Sequence, residues 1–225
     1  MIDVASLDAI DVHVHTERSR AGHDPMPAHL RDAAARYFGG DPILPTVDEV
    51  ADYYRRRNMA AVVFTVDWES QSGLPPISNE EIAEGAAANA DVLIPFASVD
   101  PARPDAIERA RRLIAEHGVK GFKFHPNLQA FFPNDRSAYP LYEAISVCLH
   151  KANVWIDLSG WSPKYFPPQL VQYANTQLRE KVLFGSDFPL ITPDRWLADF
   201  AQAPFKEQVR PLILKENAIR LLGLG

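Results

Sequence analysis

The feature that most narrows the fold of this chain is a rhythm: short apolar runs of strand character alternate six times with segments of helical period. Such alternation implies parallel strands joined by crossover helices that cover the sheet. Residues 9–15 set Ile10, Val12 and Val14 against Asp11, His13 and His15, the two-residue period of a strand with two chemically distinct faces. A long loop over 16–45 follows. Thr46 and Glu49 make a capping box ahead of Val47, Val50, Tyr53 and Tyr54, which predicts a helix over 47–57. Residues 61–66 are apolar almost throughout, as a strand covered on both faces should be, and Asp67 and Trp68 mark its exit.

The pattern then repeats. Ser78 and Glu81 form a second capping box for a helix to about residue 90, and 92–99 reads as a third strand. Ala106, Ala110, Leu113 and Ile114 give helical spacing over 105–117, with Gly118 as its stop and a fourth strand over 119–125. Residues 141–151 read as helix, 154–158 as strand, 168–180 as mostly helix and 181–187 as the last strand. Helical segments continue to Leu222, with Thr192 and Pro193 as cap and first helical position and Gly223 as a stop. Six strand–helix alternations predict a parallel α/β architecture, either an open sheet or an incomplete barrel. A full barrel of this type has eight units, which leaves a deficit of two.

The length of 225 residues fits one sizeable domain or at most two small ones, and 47% apolar residues supply a proper core. Cys148 is the only cysteine, so disulfide frameworks and thiolate zinc sites are excluded and any metal must rely on His and carboxylate ligands. A net charge of -6, with no basic run longer than Arg55-Arg56-Arg57, argues against a nucleic-acid footprint, and the triplet reads as a solvated helix face. No apolar stretch is long enough to cross a bilayer, and Asp3 and Asp8 stand where a signal peptide would be basic, so a cytoplasmic protein without membrane partners is expected.

His13 and His15 lie two apart on a strand, so their side chains share a face with alpha carbons about 6.5–7 Å apart, a separation that one metal ion bridges. Without thiolates, imidazole and carboxylate donors suit Zn; otherwise these are ordinary histidines at a strand end. Asp187 sits at the C-terminal end of the last strand, where sites in parallel α/β folds gather. A carboxylate there is placed to ligate a metal and to accept a proton from water acidified by it; its bland alternative is a turn or helix-capping Asp. His125 and Lys123 share a face of the fourth strand and point toward the same end. Either could contact substrate, or serve structurally. Asp157, Ser159 and Trp161 are weaker candidates, and His117 and His150 read as residues at helix C-termini. His23 and His29 would reach the site only if the first loop folded back as a lid. Arg18 and Arg20 on that loop, with Lys123, offer carboxylate recognition, and Trp68, Phe131, Phe132 and Trp161 are candidate aromatic walls.

Together these motifs resemble the amidohydrolase superfamily, in the amidohydrolase-related branch that includes aminocarboxymuconate-semialdehyde decarboxylase. Asp11-Val12-His13-Val14-His15 is similar to its first-strand HxH, residues 118–126 to its fourth strand, Gly185-Ser186-Asp187-Phe188-Pro189 to its eighth-strand aspartate motif, and residues 216–223 to its closing helix. The resemblance spans nearly the whole chain. It implies a TIM-barrel-like metal-dependent (β/α)8 fold in which His13, His15 and Asp187 are ligands to a divalent metal, most simply Zn, and Asp187 also transfers protons. The family's ligand His on strand five and catalytic His on strand six have no counterpart. Residues 139–145 look like the start of the helix after strand four and run into 146–151, which look like the end of the helix before strand seven. The chain thus reads as a single domain over 1–225 with about six of eight βα units and a segment missing near 145–146. His125 is the candidate substitute for the vacant ligand position. The resemblance implies hydrolysis or non-oxidative decarboxylation of a small carboxylated, aromatic-derived substrate by an enzyme for which a homodimer is the default expectation; the alternative is a non-catalytic remnant of the fold. No Gly-rich loop follows the first strand, which disfavours a nucleotide-binding fold.

Overall fold

A computed structural model describes residues 1–38, 43–132, 135, 136, 138, 140, 141 and 155–224. The strands are β1 (Ala9–His15), β2 (Met59–Phe64), β3 (Leu93–Ser98), β4 (Gly121–Lys123), β5 (Ile156–Asp157) and β6 (Val182–Leu183). Every ladder between them is parallel, in a four-stranded sheet ordered β1-β2-β3-β4 and a pair β5-β6. The chain leaving β6 joins the two. Val12 N donates to Phe184 O at 3.0 Å, Asp187 N to His13 O at 3.1 Å and His15 N to Phe188 O at 2.8 Å. The order is therefore β4-β3-β2-β1-β6-β5, an incomplete barrel that ends on β4 and β5 among the described residues.

The helices are α1 (Ala28–Phe38), α2 (Val47–Arg55), α3 (Glu69–Ser72), α4 (Asn79–Ala88), α5 (Ala106–His117), α6 (Pro168–Ala174), α7 (Pro193–Gln202) and α8 (Asn217–Leu222). Both bonds of the Thr46/Glu49 box are present. Ser78 caps α4 by accepting from Glu81 N, Thr192 caps α7 by accepting from Arg195 N, and Gly118 and Gly223 end α5 and α8 in the left-handed conformation that suits glycine. The expected loop over 16–45 instead contains α1: Pro27 opens it, with Leu30 N and Arg31 N donating to Pro27 O, so prolines that read as loop punctuation stand at a helix start. The last strand is shorter than 181–187 because Phe184 N donates to Ile213 O rather than to a strand. The helix expected over 141–151, His150 and the junction at 145–146 lie outside the described residues, Leu141 apart.

Alternation on β2 separates two cores. Ala60, Val62 and Phe64 pack inward with Ile10, Ile94 and Leu183, while Ala61 and Val63 pack outward against a layer that includes Val50 and Tyr54 of α2 and Trp196 of α7. On β1 that alternation breaks. Asp11 pairs with Ala61 but Val14 with Val63, so β1 carries one extra residue between them, a β-bulge. Ile10 and Val12 pack with the inner core before it, and Val14 with the outer core after it. The bulge thus turns His13 and His15 inward together while Asp11, expected on their face, turns out toward α2.

Candidate metal centre

Inside the barrel end, the His13 and His15 rings lie 5.3 Å apart between centroids, tilted by 36°, and the Phe64 ring meets both edge-on. His13 Nε2 and His15 Nε2 each lie 3.3 Å from Asp187 Oδ1. The three residues can each offer one ligand atom such that all lie within 4.8 Å of one another, and they are the one such group of three His, Cys, Asp or Glu among the described residues. Donors about 2.1 Å from one tetrahedral ion would sit about 3.4 Å apart, so the set fits a divalent ion. His125 is not in this group.

The surroundings prepare the donors. His13 Nδ1 is 2.8 Å from Ser159 Oγ and 3.4 Å from Asp157 Oδ1, while Lys123 Nζ approaches Nε2 at 2.8 Å. With Lys123 as an ammonium, which can only donate, Nε2 holds a lone pair and Nδ1 the proton, the tautomer a metal ligand through Nε2 needs, and an ion at Nε2 would displace the Lys123 contact. His15 Nδ1 faces Glu17 Oε1 at 3.6 Å. Burial pushes the His15 pKa down to about 4, against the hydrogen bond to Asp187, which leaves the ring neutral at pH 7. Asp187 is held below the usual carboxylate range: burial, the largest single influence, pushes it up, but the hydrogen bond with His15 and the charges of His15, His13 and Lys123 together outweigh it. Asp157 is also lowered, burial again being outweighed, here by His13 and Ser159. Burial, then Asp24 and Asp187, push Glu17 up to about 8.

Asp11, fully buried behind the site, supplies the anchor. Its carboxylate accepts from His13 N at 3.1 Å, Ser186 N at 3.0 Å, Tyr54 Oη at 2.7 Å and the Ser186 hydroxyl. It therefore ties the HxH strand, the residue before Asp187 and α2 to one point. Burial raises its pKa to about 6 despite these bonds. Asp187 itself takes a left-handed φ of 70°, which Asp tolerates better than most residues. A Cβ on Gly185 would meet His13 Cβ at 3.1 Å and Asp157 Oδ1 and Ser159 Cβ at 3.2 Å, so only glycine lets the strands approach this closely.

The centre opens into a cavity of about 320 Å³ whose apolar wall includes Met26, Leu30 and Ala34 of the α1 region, Trp68, Leu128 and Leu190, and whose polar lining includes Glu17, Lys123 and His125. Burial lowers the Lys123 and His125 pKa values. Arg18 and Arg20 do not reach this space: Arg18 pairs with Glu49 and Arg20 with Asp48, because acids on the first turn of α2 capture them. His23 Nε2 is spent on Pro75 O at 2.7 Å. Of the expected aromatic walls Trp68 lines the cavity, Phe131 packs on Phe124, and Phe132 and Trp161 are exposed. Glu17 and Asp11 escaped the sequence reading; the parity of Asp11 with the histidines was its only signal, and the bulge gives that parity another meaning.

An uncharacterised TIM-barrel protein from Bordetella bronchiseptica superposes with a TM-score of 0.70 at 19% identity, over 96% of this chain and 98% of that one. A dihydroxybenzoic acid decarboxylase from Polaromonas, solved with manganese and the inhibitor 2-nitroresorcinol, gives 0.60 at 15% identity, with 97% of each chain covered. A 5-carboxyvanillate decarboxylase from Novosphingobium aromaticivorans, with manganese and 3-methoxy-4-hydroxy-5-nitrobenzoic acid, gives 0.63 at 11% over 98% of each. Comparison with curated proteins gives no match. Among the described residues, no helix is long and apolar enough to cross a membrane. A family model described as amidohydrolase matches residues 10–148 and 143–224, two stretches that overlap over 143–148. The chain belongs to the amidohydrolase family.

Proposed function

We propose that this chain is a metal-dependent enzyme that removes the carboxyl group of a small aromatic carboxylate without oxidation, with hydrolysis of a related compound as the second reading. The observation that carries it is the convergence of His13, His15 and Asp187 at the floor of a cavity with apolar walls and two basic side chains, Lys123 and His125. Three solved neighbours support decarboxylation over hydrolysis by their names. His13, His15 and Asp187 would hold the ion, and the bound ion would supply Lewis acidity toward a substrate oxygen. Zn suits the imidazole-rich set; manganese, carried by two of the neighbours, is the alternative.

The chain's own groups do the rest. Ser159 and Asp157 orient His13, and Lys123 places a cation beside the centre for a carboxylate or phenolate oxygen. Trp68, Leu30 and Leu128 give a flat ring apolar contacts and exclude water. Asp187, a carboxylate at neutral pH, would first take a proton from a substrate hydroxyl or from solvent and then pass it to the ring carbon that loses its carboxyl group. We also assign the chain to one domain over residues 1–225 with two βα units absent near 145–146, supported by the two-part family match and by the barrel's ends at β4 and β5. A cytoplasmic homodimer completes the proposal.

The test is to load the purified protein with Zn or Mn and follow CO2 release from 2,6-dihydroxybenzoate, 5-carboxyvanillate and related acids, beside ester and lactone hydrolysis. Metal-dependent CO2 release that Asp187→Asn abolishes is expected. Metal-dependent hydrolysis alone would replace the first reading by the second, and a protein that binds no metal would be the non-catalytic remnant.

A further inference from the structure

At the exit of β4 the turn over residues 125–129 holds one cavity residue at three points, one of them through the buried side chain of Gln129. His125 N donates to Gln129 Oε1 at 2.8 Å, and His125 O accepts from Gln129 N at 2.9 Å. The ring Nδ1 accepts from Leu128 N at 3.3 Å. Gln129 is 2% exposed, and its Nε2 donates to Asp67 O at 2.7 Å and to Val99 O at 3.4 Å, the exits of β2 and β3. The amide orientation is determined by this network: turned over, its NH2 would face the His125 N–H and its oxygen two carbonyls.

A ring nitrogen that accepts an N–H must carry a lone pair, so the proton of the neutral imidazole is on Nε2. Nε2 has no other hydrogen bond among the described residues and is not among the buried nitrogens lacking a partner. Since the ring lines the cavity, that N–H is left for a ligand. We propose that His125 is a substrate-contacting residue that donates through Nε2–H to an anionic oxygen of the bound carboxylate, and that Gln129 is the positioning residue: it grips the His125 backbone and so holds the turn that presents Leu128 N to Nδ1, which sets the tautomer and direction of the ring. This rests on the reading of the cavity as the substrate site. It assigns His125 to substrate rather than to the vacant ligand place, and it gives Gln129, which carries no charge and touches no ligand, a part in specificity.

Two measurements on the Zn-loaded full chain separate these parts. Long-range ¹H–¹⁵N correlation spectra of histidine-labelled protein should show His125 as the Nε2–H tautomer, and in Gln129→Met as a mixture of tautomers. Calorimetric titration with 2-hydroxybenzoate should show affinity about 10-fold weaker for His125→Phe, and weaker for Gln129→Met as well, with melting temperature monitored for each variant. An Nδ1–H tautomer in the wild type overturns the positioning role without needing any variant to fold. Unchanged affinity in His125→Phe overturns the substrate contact. A wild type that does not bind the probe overturns the reading of the cavity and the contact with it, while the tautomer still decides for or against Gln129.

Discussion

Asp11 shows how much of the proposed metal centre rests on a residue outside its ligand set. Four donors converge on one buried carboxylate, three of them from His13 and from Ser186, the residue before Asp187. In Asp11→Ala those donors lose their acceptor in a dry environment, and the two strands that present His13 and Asp187 lose their common tie. Metal affinity, measured by competition with a chelator, should fall about 10–100-fold. Tyr54→Phe removes one bond only and should cost about 1 kcal/mol of stability with a smaller loss of affinity. Gly185→Ala acts from the other side, since its Cβ would press on His13 Cβ at 3.1 Å and on Asp157 Oδ1 at 3.2 Å. It should lower metal affinity more than melting temperature, because the crowding falls on the ligand and its orienting carboxylate.

Among the elements, α2 and α7 are joined by Arg57, which sits 3.5 Å over the Tyr53 ring and donates to Asp194 at 2.7 Å. That hydrogen bond holds the Asp194 pKa below the usual carboxylate range. A carboxylate lowered on folding stabilises above its unfolded pKa, and the contribution disappears as pH falls through the folded value. The pair is largely exposed, so Asp194→Asn should cost about 0.2–1 kcal/mol at pH 7 and nothing near pH 2, read as melting curves at both. The elements also divide into those legible in the residues and those not. Thr46, Ser78, Thr192, Gly118 and Gly223 mark helix ends through local chemistry and do so in the fold. The bulge in β1 left no local mark, because one extra residue is visible only against the partner strand. Helix α1 was hidden by Pro25 and Pro27, and the shortness of β4 and β6 depends on partners elsewhere in the chain. At the site the same division holds: His13, His15 and Asp187 carry their chemistry in their type and spacing, whereas Glu17, Asp11 and Gln129 act through neighbours that only the fold brings near.

For the whole molecule, the incomplete barrel places the proposed metal centre close to both of its ends among the described residues. Lys123 ends β4 and Asp157 ends β5, and both side chains approach His13. A bound ion would therefore link the β1 strand to the chain beyond β6 near the point where the described sheet is open. Ligand binding to the folded state alone stabilises it by about 2.7 kcal/mol at one hundred times Kd. For a chain of this size the melting temperature should rise by about 5–10 °C on metal loading, and His13→Ala should abolish the rise. The most direct measurement is the metal content of the purified protein, by elemental analysis after equilibration with Zn or Mn and gel filtration, beside Asp187→Asn and His13→Ala. Close to one divalent ion per chain, lost in both variants, is expected; a protein that holds none, or variants that hold as much as the wild type, would contradict the assignment of His13, His15 and Asp187 as the metal centre.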